Sequence, residues 1–372
     1  MEFLGGGTDV FVIGGGPAGL ATAIAARHKG FSVTVADGAE PPIDKPCGEG
    51  MMPDAVDALR EMGVEIPSEL SFRFRGIRFI QDDIKIAADF AQKLGTGVRR
   101  IVLHKALIRK AEDSGIQFLW KTPITGIERG KVRLNSGLVS ARWIVAADGG
   151  RSRARRWCGL EPSNKEELRF AARRHYRTRP WTDYMEVYWK AGVQAYVTPT
   201  SREEVCVVTM GDTTDESEFE NVLNQIPSLG ERVKGSELSG VERGAVTATR
   251  SLTQVWRDNV ALAGDASGGV DAISGEGLRL AFRQALALAE AMHVGDLRLY
   301  GQAHKKLVRR PLRMTRMMVE LGRRDAMRSR IFKGLNCRPE LFEKLLAVHA
   351  GEVNTRTAIS TGVSLSWQLL AG

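Results

Sequence analysis

Residues 9–19 read Asp-Val-Phe-Val-Ile-Gly-Gly-Gly-Pro-Ala-Gly: a short apolar strand, a glycine turn, and the opening of a helix. That order constrains the fold more than any other stretch, because Gly14-x-Gly16-x-x-Gly19 suits a dinucleotide only between a strand and a helix. Gly14 permits the tight turn, Gly16 lets a pyrophosphate approach the backbone, and Gly19 allows close helix–sheet packing. Pro17 and Ala18 open the helix, whose N-terminus stabilises phosphate charge. Phe31–Ala36 reads as a second strand ending at Asp37, placed to accept both hydroxyls of an adenosine ribose. A glycine turn alone is common; strand, helix and acidic residue together favour dinucleotide binding.

Two further segments follow in the order one fold requires. Ala146-Ala147-Asp148-Gly149-Gly150-Arg151-Ser152 ends a mid-chain buried strand, and Leu262-Ala263-Gly264-Asp265-Ala266 ends another. Asp265 is suited to ribityl hydroxyls. Ser274-Gly275-Glu276-Gly277-Leu278 then opens a long helix, and the backbone N–H groups of Gly277 and Leu278 suit the N1–C2=O edge of a flavin. The three segments together predict non-covalently bound FAD. No second GxGxxG occurs, so NAD(P)H, as electron donor, is expected to bind transiently on another surface.

The remaining pattern predicts an α/β fold. A Rossmann-like FAD-binding domain (8–70, 95–165 and 245–295) is interleaved with an antiparallel-sheet substrate domain (71–94 and 166–244), followed by a helical C-terminal region, 296–372. Phe72–Ile80 alternates as one half-exposed strand, and Arg100–Asp113 has helical spacing. Tyr184–Trp189, Val193–Thr198 and Glu203–Met210 read as consecutive strands with short turns.

Composition narrows the function classes. The 372 residues carry a net charge of +9. The segment Lys305–Lys333 holds eleven Lys/Arg against Glu320 and Asp325, which accounts for all of that excess. A nucleic-acid-coating protein is thereby excluded. The basic segment reads either as a solvated helix face over the FAD domain or as a peripheral membrane contact, with Pro311 interrupting any single helix. Cys47, Cys158, Cys206 and Cys337 form no CxxC pair, so neither a metal site nor a disulfide framework is expected, and a reduced, cytoplasmic setting fits. The histidines show no metal or base–nucleophile spacing. The sequence is silent on oligomeric state.

These motifs resemble the p-hydroxybenzoate hydroxylase-like flavoprotein superfamily, which includes single-component aromatic monooxygenases, geranylgeranyl reductases and flavin-dependent halogenases. The resemblance implies a role for Asp148 near FAD and NAD(P)H and for Arg100 near the FAD phosphates; a solvated helix-start arginine is the alternative for Arg100. Pro46-Cys47-Gly48-Glu49-Gly50 is similar to the Pro-Cys-Gly loop beside the flavin in geranylgeranyl reductases. Lys45 and Gly48 then join the cofactor set, and Cys47 is either a proton donor or a small packed residue. Those reductases carry an aromatic-rich segment where this chain has Gln194-Ala195-Tyr196-Val197-Thr198-Pro199. Gln194, Tyr196 and Thr198 alternate on one strand face and suit hydrogen bonds to a phenol or quinone-like ring, with Tyr196 as a catalytic candidate; a surface-facing polar strand side is the alternative.

The leading expectation is an NAD(P)H-dependent FAD monooxygenase acting on an aromatic or polyketide-derived small molecule. The alternative is a geranylgeranyl reductase-like C=C reductase of a prenyl or quinone side chain. A non-catalytic flavin protein docked to a membrane or partner is the third.

Overall fold

The structure is a computed structural model that describes residues 7–162 and 167–351. Its first sheet is built on five parallel strands in the spatial order Gln117–Leu119, Val33–Ala36, Thr8–Ile13, Gly137–Ala146 and Val260–Leu262. The inner strands are runs of Val, Ile, Phe and Ala because helices or loops cover both faces. From Thr8–Ile13 the chain crosses to Val33–Ala36 on one side, and Gly137–Ala146 lies on the other. This reversal opens a crevice at the carboxyl end of the first strand, where ligands of such sheets bind. Helix Pro17–His28, nearly all small residues, packs against helix Gly277–Val294 over this sheet.

The second sheet runs Glu237–Leu238, Leu168–Arg177, Glu204–Gly211, Val193–Ser201, Tyr184–Trp189, Gly76–Gln81, Ile84–Asp89, with Arg243–Ala248 also paired to Leu168–Arg177. All its pairings are antiparallel except Tyr184–Trp189 against Gly76–Gln81. It reaches past the expected boundary at 245, and the expected boundary at 165–166 falls outside the described residues. The single strand expected over Phe72–Ile80 is two strands. Ser71–Phe74 joins a three-stranded ribbon with Gly95–Val98 and Gly50–Met51, while Gly76–Gln81 enters the large sheet. Gly76 marks the break: a Cβ there would lie 1.9 Å from the Ala88 carbonyl oxygen.

Three helices, Leu297–Arg323, Asp325–Cys337 and Pro339–Ala350, cover the apolar end of that sheet; residues 352–372 of the expected helical region lie outside the described residues. Pro311 does not interrupt the first of them, which runs unbroken for 27 residues. An internal proline removes one hydrogen bond and crowds the carbonyl four residues back, costing about 3 kcal/mol. Burial of Leu297, Tyr300, His304, Thr315, Met318 and Leu321 along one face offsets that cost. Among the described residues no helix is long and apolar enough to cross a membrane.

This helix is tied to the end of the last parallel strand. The Tyr300 hydroxyl donates to the Leu262 carbonyl at 2.6 Å, and His304 Nε2 donates to Ser267 Oγ at 3.0 Å while that hydroxyl donates to Gly264 O. Burial pushes His304 down from 6.5 to about 4. Above pH 6.5 the ring is neutral folded or unfolded. As pH falls from 6.5 toward 4 the unfolded chain takes up the proton first, so stability drops by roughly 3 kcal/mol and then levels off. Thermal melts should show this acid limb, and His304→Gln, which keeps a donor to Ser267, should flatten it.

Candidate functional site

The three glycine-bearing segments meet at the crevice. A Cβ on Gly14, whose φ is +108°, would lie 2.5 Å from the Ala147 carbonyl oxygen, and one on Gly264 would lie 2.5 Å from the Ala18 Cβ. The first motif therefore touches the second and the third with no room for a methyl group. Gly19 is as constrained, with Gly14 O only 1.9 Å from a Cβ. Gly16 differs: a Cβ there would meet nothing within 4 Å. It faces open space at the helix N-terminus, where a pyrophosphate approaches.

The surrounding side chains fit FAD. Asp37 accepts from Gly15 N at 2.7 Å and Ala39 N at 2.8 Å, bracing the turn and leaving carboxylate lone pairs for a ribose. Asp265 opens to the cleft, where the surrounding protein pushes its carboxyl up against the pull of Lys45, Arg100 and Arg250. Lys45 is exposed, with Nζ 3.7 Å from a Cβ built on Gly149. Arg100 heads helix Arg100–Asp113, buried rather than solvated, and its Nε has no hydrogen-bond partner. An unpartnered buried guanidinium beside an open glycine turn suits a phosphate. Gly275, exposed, donates its N–H to Ala272 O at 3.0 Å; Gly277, exposed, and Leu278, half-buried, open helix Gly277–Val294 and leave first-turn N–H groups at the cleft. The Asp148 carboxylate is otherwise engaged. It accepts from Ser152 Oγ, Arg153 N and Ala154 N, so its side chain shapes the loop onto helix Arg153–Trp157.

The loop 44–50 is fastened from behind by the second sheet. Glu49 is buried and has φ +59°, a backbone conformation costing roughly 1–2 kcal/mol outside glycine. Its Oε1 accepts from Arg100 N at 2.9 Å and Arg173 Nη1 at 3.2 Å, and its Oε2 meets His175 Nε2 at 2.7 Å. Arg173 also binds both Asp44 oxygens and Lys45 O, while Thr198 Oγ1 donates to Gly48 O at 2.7 Å. Glu49, His175 and Cys206 bring potential ligand atoms within 4.8 Å of one another. Arg173 already supplies the positive charge that balances Glu49 there. Cys47 Sγ accepts from Glu49 N at 3.4 Å, and burial raises its thiol, which stays neutral.

Register explains this clustering. His175, Cys206 and Thr198 lie in one row across three strands, Arg173, Val208 and Tyr196 in the next, and Ala171, Met210 and Gln194 in the third. All point to one face. That face is buried, so the expected polar side of residues 194–198 is neither a surface nor, for two of the three, a ring-binding wall. Gln194 accepts from Arg169 Nη2 and sits beneath Gly322, its Nε2 only 2.5 Å from a Cβ built there. Thr198 is committed to Gly48. Tyr196 alone faces the cavity, and its hydroxyl donates to Ile273 O at 3.0 Å.

That cavity is a narrow apolar space of about 100 Å³. It begins at Gly50, Tyr196, Ser274 and Gly275 beside the cofactor crevice. It continues between Ile77, Phe79, Met185 and Val187 of the sheet and Met314, Met317, Met318, Phe332, Phe342 and Leu346 of the C-terminal helices. Phe79 lies 4.9 Å from Phe342 and 6.0 Å from Phe332, ring centre to ring centre. At the cofactor end His349 Nε2 donates to Ser274 O at 3.0 Å, and its Nδ1 faces Glu276 Oε1 at 3.4 Å.

Sequence reasoning left the histidines and Glu49 without roles. His104 is fully buried, accepting from Ile43 N on Nδ1 and donating from Nε2 to Gly15 O, and so clamps the glycine turn to the loop before Cys47. His175 and His349 brace the other two sides. No spacing signal marks them, because their partners are remote in sequence. Glu49 was legible only as a bulky residue between two glycines.

Gly16→Ala should leave apoprotein stability unchanged while weakening FAD binding on the order of tenfold or more, whereas Gly19→Ala should lower stability itself; urea unfolding and flavin titration separate the two. Glu49→Ala should cost about 3 kcal/mol or more, because His175 and the Arg100 amide lose their buried partner and Arg173 is left with Asp44 as its sole carboxylate among the described residues. Equal urea midpoints for Glu49→Ala and the wild type would contradict that.

A sequence profile described as an FAD binding domain matches residues 7–309. The chain is 27% identical over 315 residues to a menaquinone reductase of Mycobacterium tuberculosis, covering 78% of this chain and 77% of that one. It is 26% identical over 294 residues to digeranylgeranylglycerophospholipid reductase 1 of Methanothermobacter thermautotrophicus, covering 73% of each. The fold matches a flavoprotein/dehydrogenase from Cytophaga hutchinsonii with a TM-score of 0.79 at 22% identity, over 92% of this chain and 93% of that one. With its cofactor crevice and its matching span, the chain belongs to the FAD binding domain family of p-hydroxybenzoate hydroxylase-like flavoproteins and is an FAD-dependent oxidoreductase.

Proposed function

We propose that this oxidoreductase reduces a carbon–carbon double bond in an isoprenoid chain, such as the side chain of a quinone or a prenyl lipid. The observation that carries this reading is the wall of the cavity. Beyond Tyr196, Ser274 and His349 at the cofactor end it is lined by Met, Phe, Leu, Ile and Val up to the C-terminal helices, and two polar residues expected to moisten it, Gln194 and Thr198, are turned to Arg169 and Gly48. An apolar chain gains by filling such a space, whereas a polyketide ring bristling with hydroxyls would leave them unpaired. The curated relatives named as menaquinone and digeranylgeranylglycerophospholipid reductases support the same substrate class. On these grounds we favour the reductase reading over hydroxylation, the leading expectation from sequence.

Reduced FAD would supply a hydride to one carbon of the double bond, with NAD(P)H as the proposed source of its electrons. The protein must then hold the chain still, keep water out, and give a proton to the neighbouring carbon. Gly16, Arg100, Asp37, Asp265 and the Gly277 N-terminus hold the cofactor. The methionines and phenylalanines seat the chain. Two neutral acids stand at the reacting end: the Tyr196 hydroxyl, its phenol pushed far up by burial, and the Cys47 thiol. Tyr196 lies in the cavity wall and Cys47 does not, so Tyr196, on turning its hydroxyl from Ile273 O to the chain, is the assigned proton donor.

The test is anaerobic. Photoreduced enzyme mixed with a short isoprenoid alcohol, which has no quinone ring to take the electrons, should return to the oxidised flavin spectrum without O2, yielding a product two hydrogens richer in its chain. A reaction that needs O2 and places its oxygen in the product overturns the reading. Tyr196→Phe should retain FAD and slow turnover on the order of a hundredfold, with Cys47→Ala much milder.

A further inference from the structure

Helix Leu297–Arg323 turns one face to the cavity and another to solvent. Lys305, Arg309, Arg313 and Arg316 fall within about 40–80° of one another around the helix axis, joined by Lys306. All five are exposed. Neighbouring arginines show the contrast: Arg298 and Arg323 on the same helix pair with Asp296 and with Asp212 and Glu167, and Arg324, just past its end, pairs with Glu320. Among the described residues, none of the five makes an ion pair. Arg330 and Lys333 add two more exposed cations on the next helix. A row of cations that ignores its own carboxylates is not built for internal stability.

The row borders the cavity. Met317 lines the apolar space and is 44% exposed, at the edge of the cationic stripe, and Met314 lies one turn deeper. An apolar opening rimmed by unpaired cations matches the boundary of an anionic bilayer, where headgroups carry the charge and acyl chains the apolar surface.

We propose that this face docks on the surface of a bilayer containing anionic phospholipid, so that an isoprenoid chain passes from the lipid past Met317 into the cavity. This rests on the isoprenoid reading for the cargo but not for the docking. The cations draw the protein to the headgroups, and the charge complementarity fixes which side faces the lipid. Nothing crosses the membrane: the helix lies along it.

Co-sedimentation of the FAD-loaded full chain with vesicles tests the docking. Equimolar phosphatidylglycerol and phosphatidylcholine vesicles should bind it, with loss at high salt, and pure phosphatidylcholine should not. Each cation contributes about fivefold to partitioning, so Lys305→Gln/Arg309→Gln/Arg313→Gln/Arg316→Gln should lose binding by a hundredfold or more while keeping its flavin spectrum and melting temperature. Equal binding by this variant, or none by the wild type, overturns the docking. Retention on RNA or an acidic polypeptide without vesicle binding overturns it too. For the cargo, the variant should saturate a double bond of a soluble short isoprenoid alcohol at the wild-type rate and of a vesicle-embedded long-chain isoprenoid lipid far more slowly. If neither protein reduces the soluble alcohol, the isoprenoid reading fails and the vesicle result still decides the docking.

Discussion

One buried carboxylate organises the site. Glu49 sits in a left-handed backbone conformation and is satisfied by Arg173 and His175 from the large sheet and by the first amide of the helix that begins at Arg100. These partners come from both halves of the molecule. The sheet that carries the cavity is thereby registered against the helix that carries the unpartnered arginine. A buried charge costs several kcal/mol unless it is paired and hydrogen-bonded, so the arrangement is all-or-nothing. With Glu49 in place, Cys47 and Gly48 have one position available. The strain at Glu49 is held by that network, as backbone outliers at functional sites commonly are.

The large sheet presents a polarity gradient along one face. At one end Arg173 and His175 grip the loop; at the other Ile77, Phe79, Val187 and Trp189 meet the C-terminal helices. Tyr196 stands where the two regimes join. The first of these helices is held there by Arg323, which binds Asp212, and Asp212 is shared with Arg169, which also binds Asp271 and Gln194. A single antiparallel sheet thus serves a charged anchoring task and an apolar lining task by sorting residues along its strands.

Much of this was legible in the sequence where the physics is local. The glycine turn, Asp37, the helix beginning at Arg100 and the strand tip at Asp265 each depend on a few adjacent residues, and the structure brings them to one crevice. The strands of Tyr184–Met210 were legible because short apolar and aromatic runs between tight turns are a local signal. What escaped were partnerships across the chain. Thr198 and Gln194 read as free polar groups because nothing in their neighbourhood announces Gly48 or Arg169. His104, His175 and His349 each hold a backbone carbonyl or a carboxylate far away in sequence. Pro311 misled in the other direction: its local penalty is real, and tertiary packing of the helix outweighs it.

The chamber's depth and its redox end are drawn from different stretches of chain. Phe332 and Phe342 close the far wall from helices that follow the last cofactor-binding segment, while the glycine turn and Asp265 lie upstream of them. Exchanging bulk at those two rings would lengthen or shorten the accommodated molecule and leave the electron-transfer apparatus as it is. The same catalytic frame can therefore diverge in the size of what it accepts by drift at its carboxyl-terminal lid alone.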